Sequence, residues 1–150
     1  MKIPRLIIIL ALVSLAQASF AEHLFMARVK MSFPEAMLKL QETIKEHGYA
    51  ISRVQRVDIG LTKSGYMTDK YRVVFYGKTD ENQKLLDQFP VLQAYFPLKI
   101  AIYAEDKDTL ITAYDPLYLF GDSDPALRKK AQEWETDITA IFKTMREAED

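Results

Sequence analysis

The stretch SFPEAMLKLQETIKEHG, residues 32–48, decides the fold class because it carries a complete helix signal between two segments of strand character. Ser32 stands at the N-cap and Glu35 follows three residues later, the spacing of a capping box. Gly48 stands where helices commonly end in the left-handed conformation. Apolar residues recur between these ends at helical spacing, namely Phe33, Ala36, Met37, Leu40 and Ile44. The stretch therefore predicts an amphipathic helix with one buried face.

Segments of strand character lie on both sides of this helix. Residues 25–31 alternate apolar and polar side chains, which is the period of a half-buried strand. The later predicted elements are a strand over residues 49–59, a polar connection over residues 60–69, a strand over residues 70–76 ended by Gly77, a short helix from Thr79 or Asp80 to Pro90, and a hairpin with strands 99–104 and 109–114 across a four-residue loop.

A long helix follows this hairpin. Asp124 and Pro125 are an N-cap and an N1 proline. Apolar residues then form one narrow stripe, namely Leu127, Ala131, Trp134, Ile138, Ile141 and Met145. Such a stripe suits packing across a sheet or against a partner helix. The predicted order is β-α-β-β-α-β-β-α, an α+β fold in which helices pack on a mostly antiparallel sheet.

The N-terminal segment has the pattern of a secretory signal peptide. Lys2 and Arg5 precede an apolar run over residues 6–13, and small residues follow at a cleavage-site spacing. The run is shorter than the roughly 20 residues of a membrane-spanning helix. We therefore expect cleavage after Ala21 and no membrane span in the mature form. The chain divides into a signal peptide (1–21), an α+β domain (22–122) and a C-terminal amphipathic helix (123–150).

Composition narrows the function classes. The full chain has 20 basic and 21 acidic residues, and loss of the two basic residues of the leader gives the mature form a net charge of −3. A negative domain lacks the basic face that nucleic-acid binding requires, so no nucleic-acid partner is predicted. The absence of cysteine excludes disulfides, thiolate catalysis and thiolate metal sites. Because secreted animal domains of this size are usually disulfide-rich, the bacterial periplasm is the predicted location.

No motif in the sequence points to a cofactor or a metal. The two histidines, His23 and His47, are too far apart in sequence to form a ligand spacing. His47 in the last helical turn fits compensation of the helix dipole. We therefore predict no cofactor and no metal site.

Several segments in order resemble the domain of unknown function 302 (DUF302) family. They are the helix over residues 32–48 with its glycine–aromatic end, the strand over residues 49–59, Tyr71-Arg72-Val73-Val74 beside the family's Tyr-Arg-Ile-Leu, Phe96-Pro97-Leu98-Lys99-Ile100 beside its Leu-Pro-Cys-Asn-Val, and the closing Asp115-Pro116. The resemblance implies a small α+β domain that associates as a homodimer and has no established activity. The family often carries cysteines near the positions of Gly77 and Leu98, so a thiol role cannot belong to this chain.

Tyr71, Arg72 and Asp115 are candidate ligand-binding residues. Tyr71 and Arg72 are neighbours on a predicted central strand, so they face opposite sides, and one of them, with Arg72 favoured, points to a cavity or a dimer contact. The structural alternative for Arg72 is a salt bridge to Asp58 or Asp115, because a buried guanidinium requires an anionic partner. The structural alternative for Asp115 is capping of a turn ahead of Pro116.

Aromatic residues crowd the C-terminal half, and Phe96 and Tyr118 are the candidates among them for a ligand pocket. The alternative is that these rings form core. Residues 117–120 are four consecutive apolar residues in a predicted loop, so the tail helix or a second subunit must cover them.

Three functions remain open from the sequence. The first is a non-catalytic binding module for a small ligand or a protein partner. The second is a hydrolase or lyase that uses Arg72, Asp115 and Asp58, although no catalytic residue is identified. The third is a structural homodimer assembled partly through the C-terminal helix.

Overall fold

Five antiparallel strands form one sheet in the computed structural model, which describes residues 23–148. The strands are β1 (Leu24–Val29), β2 (Ala50–Arg56), β3 (Tyr71–Gly77), β4 (Leu98–Glu105) and β5 (Asp108–Tyr114). The helices are α1 (Phe33–Glu46), α2 (Val57–Lys63), α3 (Thr79–Gln88), α4 (Pro116–Phe120) and α5 (Pro125–Glu147), with a 3₁₀ helix over Pro90–Ala94. The α+β class and the antiparallel sheet are confirmed.

The strand order in the sheet is β1-β5-β4-β3-β2. This order leaves β4 in the centre and makes β3 an interior strand. The register between strands aligns residues in rows across the sheet; in one row, Arg72 pairs with Ile102 and Ile102 pairs with Ile111. These pairs show which residues of different strands lie at the same level along the strand direction.

Helices α1 and α5 pack on one face of the sheet and form the first core. Its fully buried members come from four strands and both helices, among them Val29, Val74, Ile100, Ile111, Leu40, Ile44, Ile141 and Met145. The predicted capping box holds the start of α1, where the Glu35 carboxylate accepts from the Ser32 backbone N–H at 3.0 Å and from its hydroxyl at 2.6 Å. Gly48 has a φ of 78°, in the left-handed region that a C′ glycine adopts.

A second core lies beside the first and is closed by the N-terminal half of α5. Its buried members are Leu92, Phe120, Leu127, Ala131 and Trp134. Leu98 packs against both cores. The predicted tail stripe is therefore buried along its whole length, within one chain.

Two local predictions were wrong. The strand expected to run to residue 59 ends at Arg56, and α2 follows in place of the expected polar connection. Arg56 pairs with Arg72, the second residue of β3, so little partner strand remains beyond it. The expected four-residue hairpin loop is a turn of two residues, because Glu105 and Asp108 pair across it. Asp106 takes a φ of 53°, a region that aspartate tolerates better than most residues.

The predicted signal peptide, residues 1–21, lies outside the described residues. Within residues 23–148, no helix combines the length and the apolar character needed to cross a membrane.

Candidate functional site

A pocket of about 330 Å³ lies where the two cores meet. Its walls come from β3, β4, the end of β5, the turn after the 3₁₀ helix, α4 and α5. The lining is mostly apolar and aromatic, and includes Tyr76, Tyr95, Phe96, Leu98, Leu119, Phe120 and Ile138. A concave, mainly apolar site with a few polar groups is the usual form of a small-molecule site.

Asp115 builds one wall of this pocket by starting α4. One of its carboxylate oxygens accepts from the backbone N–H of Leu117 at 2.8 Å and of Tyr118 at 3.3 Å. Pro116 occupies the first helical position, where a missing N–H costs nothing. The apolar residues 117–120 are thus helical, which corrects the expected loop, and of these residues Leu119 and Phe120 pack in the core that the tail helix closes.

The turn of α4 separates its aromatic residues. Phe120 is buried in the second core and lines the pocket. Tyr118 points the other way and is 59% exposed, with its ring stacked on His23 at 3.4 Å between centroids. Of the two predicted aromatic site residues, Phe96 lines the pocket, whereas Tyr118 lies outside it.

Aromatic rings that line the pocket make edge-to-face contacts with one another and with Trp134 behind them. The Phe96 ring lies 5.2 Å from the Trp134 ring, and the Tyr95 ring lies 5.1 Å from that of Phe120, centroid to centroid. Trp134 is 2% exposed and is the one tryptophan of the chain. The indole contacts Phe96 and Phe120, and both of these rings line the pocket. A molecule that enters the pocket therefore changes the surroundings of the rings that contact Trp134.

Two polar side chains of the lining have no partner within the described chain. The Tyr76 hydroxyl is buried and makes no hydrogen bond. Burial, with the nearby Asp137 carboxylate as a smaller cause, raises the pKa of Tyr76 above its ordinary range. Lys99 is half-buried, and no carboxylate of residues 23–148 lies within ion-pair distance of its ammonium. Tyr76 thus brings a buried hydroxyl without a hydrogen-bond partner to the wall of the pocket, and Lys99 brings a cation without an ion-pair partner.

Arg72 faces the helices and is already paired. Its guanidinium donates to the Asp58 carboxylate, and also to the Tyr71 carbonyl at 3.0 Å. The side chains of the ion pair are 14% and 16% exposed, and the hydrogen bond from Arg72 lowers the pKa of Asp58. The guanidinium also lies 5.8 Å from the centroid of the Phe33 ring. Of the two salt-bridge partners considered from the sequence, Asp58 is the one the fold supplies.

Tyr71 lies on the opposite side of β3, on a sheet face that α1 and α5 leave uncovered. We call this the open face and define it by a row across the sheet, Met26, Thr112, Ala101 and Val73, with Tyr71, Tyr103 and Leu110 beside it. Met26 is 48% exposed, and most of the other members are half-buried. Lys99 and Tyr114 line both the pocket and a groove on this face, so the pocket meets the open face at these two residues.

Arg72 and Asp115 are far apart. Arg72 aligns through Ile102 with Ile111, and Asp115 follows four residues later, roughly 13 Å along the strand direction. Over the part of the chain that the structure describes, no group of three or more His, Asp or Glu side chains could hold a metal ion. The fold therefore does not bring the proposed catalytic pair together.

Sequence reasoning missed Lys99, Tyr76 and Trp134 as residues of the site. Each was read only as part of a strand or of the tail stripe. A lysine among apolar strand residues was a signal for Lys99, whereas only the topology places Tyr76 and Trp134 beside the pocket.

Comparisons with known proteins agree on the fold. The model of a family described as domain of unknown function DUF302 matches residues 25–145. The crystal structure of an uncharacterized conserved protein DUF302 from Bacillus stearothermophilus superposes with a TM-score of 0.75. It is 23% identical and covers 84% of this chain and 100% of its own, a likeness that shows the fold alone. No curated protein matches the chain significantly.

Proposed function

Since the chain belongs to the DUF302 family of domains of unknown function, its membership names no reaction, and we propose that it is a non-catalytic binding module. The observation that carries this proposal is the pocket between Phe96 and Phe120, which is concave and has mainly apolar and aromatic walls. The pocket volume lies at the small end of the range for ligand sites.

The contacts of the Asp115 and Asp58 carboxylates favour a binding function over the hydrolase or lyase alternative. Asp115 uses its carboxylate to cap α4, and Asp58 is held by Arg72. A general acid or base must be free to exchange a proton with a substrate, and acid–base hydrolysis usually needs a second such group nearby. Neither aspartate meets both conditions.

We also propose that the domain is exported to the periplasm after cleavage behind Ala21. The pattern of residues 1–21 supports this proposal. The position of β1 is compatible with it, because the strand begins at Leu24 and would be left intact by such a cut.

A homodimer through the open face is the proposed assembly. Met26, Ala101 and Val73 of this row present apolar side chains on the face that α1 and α5 leave uncovered. Contiguous exposed apolar surface commonly marks a protein contact. The apolar stripe of α5, by contrast, is used in the chain's own cores, which favours the sheet over the C-terminal helix as the contact surface.

An uncharged hydrophobic dye, N-phenyl-1-naphthylamine, tests the binding function. We expect it to enter the pocket, to change Trp134 emission and to raise the melting temperature, because a ligand of the native state stabilises that state. Leu119→Phe fills the pocket and should weaken dye binding. Leu38→Phe makes the same substitution at an exposed position of α1 and should leave it unchanged. Equal dye binding by both variants would place the dye elsewhere and remove the pocket as the site.

A further inference from the structure

We propose that the pocket takes a small apolar monocarboxylate, with its chain among the aromatic rings and its carboxylate at Lys99. The inference rests on the proposed binding function and names the class of ligand. It follows from the distribution of charge around the pocket, from its size and from its two ends.

Lys99 is the charged residue among those that line the pocket, and no acidic side chain accompanies it there. Asp115 and Asp137 are next in sequence to the lining residues Pro116 and Ile138, and both carboxylates are engaged elsewhere, since Asp115 caps α4 and Asp137 accepts from the Tyr49 hydroxyl. Lys99 is half-buried as a residue, and its ammonium has no ion-pair partner within residues 23–148. An anionic group on a ligand would supply it through a charge-assisted hydrogen bond.

The two ends of the pocket differ in polarity. Lys99 and Tyr114 stand where the pocket opens onto the open face, whereas Tyr76 lies at the buried end with 1% of its surface exposed. The Asp137 carboxylate, which accepts from the Tyr49 hydroxyl, precedes the lining residue Ile138 and acts electrostatically on Tyr76, so this side of the pocket disfavours a second anion. The ligand therefore carries one carboxylate, at the entrance, and an apolar body inside.

The volume of the pocket sets the size of that body. A space of 330 Å³ equals the liquid volume of about 11 water molecules. A straight-chain carboxylate such as decanoate is of about this size, and a lipid with two acyl chains is too large. The rings of Tyr95, Phe96 and Phe120 give the chain an apolar lining.

Trp134 supplies the measurement. It contacts Phe96 and Phe120, both of which line the pocket, so its emission reports on occupancy without a label. Three probes with a ten-carbon chain separate charge from hydrophobicity: decanoate, the uncharged decanol and the cation decyltrimethylammonium. Decanedioate adds a second carboxylate and tests the buried end.

We expect decanoate to bind more tightly than the other three probes. In Lys99→Met, which keeps an unbranched side chain but loses the charge, decanoate should bind roughly tenfold more weakly while decanol affinity stays the same. Lys107→Met, at the exposed tip of the hairpin, should change neither affinity. Melting temperatures without ligand show whether each variant is folded.

The outcomes separate the two proposals. If decanol binds but decanoate has no advantage, or if Lys99→Met binds decanoate as tightly as the unaltered protein, the carboxylate inference is wrong and the binding module stands. If decanedioate equals decanoate, the monocarboxylate specificity is wrong. If none of the probes changes Trp134 emission or the melting temperature, both proposals fail.

Discussion

The edge-to-face contact of Phe96 with Trp134, at 5.2 Å between ring centroids, joins the pocket to the second core. Phe96 belongs to the turn between the 3₁₀ helix and β4, and Trp134 lies in the middle of α5. Phe96 lines the pocket and Trp134 is buried in the second core, so the effect of this contact on the proposed binding and its effect on folding stability can be measured separately.

Replacing Phe96 by Leu should expose the Trp134 indole to more polar surroundings and shift its emission to longer wavelength. Loss of the ring pair should also lower the free energy of unfolding by about 1 kcal/mol. Phe25→Leu removes a different ring contact, that with Phe142 at 6.1 Å, and should leave the emission maximum unchanged. A blue shift or no shift in Phe96→Leu would contradict the contact described here.

Removal of the α4 cap should weaken ligand binding as well as folding. Asp115→Ala leaves two backbone N–H groups without their acceptor, so we expect a loss of about 1 kcal/mol in unfolding free energy. Because α4 carries Leu119 and Phe120, dye affinity should fall too. Asp115→Ser keeps a capping oxygen and should restore most of both losses.

Asp124→Ala is the matched control for this experiment. Asp124 caps α5 through the Ala126 N–H at 2.8 Å, and it is not among the residues that line the pocket. It should lose similar stability and keep its dye affinity. Turnover that vanishes in Asp115→Ser, without loss of stability, would instead support the enzyme alternative.

The Asp58–Arg72 pair should give the domain an acid-dependent stability. Because the hydrogen bond from Arg72 lowers the pKa of Asp58 in the folded state, the pair contributes fully above the unfolded value of about 3.9. The contribution is lost as the pH falls through the lower folded pKa. Asp58→Asn should therefore be less stable than the unaltered protein at pH 7, by about 1 kcal/mol, and the difference should vanish in strong acid.

Urea unfolding at a series of pH values measures that difference. Asp122→Asn, at an exposed position after α4, is the control and should track the unaltered protein throughout. A difference between Asp58→Asn and the unaltered protein that stays constant down to the lowest pH would show that the ion pair does not carry it.

A charge in the middle of the open face should prevent association. Ala101 lies at the centre of the row that joins Met26 to Val73, so Ala101→Arg would bury two unpaired cations in a twofold dimer. We expect the unaltered protein to sediment as a dimer and Ala101→Arg as a monomer with a similar melting temperature. Thr139→Arg, on the exposed side of α5, should remain dimeric. A monomeric unaltered protein would exclude the assembly.

The parts of the fold that local sequence controls were predicted well. The first helix has its capping box and its C′ glycine within 17 residues of sequence, and the tail helix has Asp124, Pro125 and one apolar stripe. Helix α2 was missed because Val57 and Ile59 continue the alternation of the preceding strand. The pairing that ends this strand, and the ion pair of Asp58 with a residue 14 positions away, are tertiary events that the alternation does not encode.

The site was predicted only in part, for a similar reason. Phe96 was identified through the density of aromatic residues, and it lines the pocket. The same argument could not separate Tyr118, which α4 turns outward, from Phe120, which it turns inward. Tyr76 and Lys99 lie on adjacent strands, where Tyr76 pairs with Leu98, and they line one pocket only once the sheet is assembled.

Helix α5 also determines when this chain can fold. It supplies buried side chains to the second core through Leu127 and Trp134, and to the first through Ile141 and Met145. A ribosome must therefore synthesise most of residues 125–147 before either hydrophobic cluster can close. The export proposed above would use this interval, because a translocation channel for unfolded substrates accepts a polypeptide whose hydrophobic clusters have not yet closed.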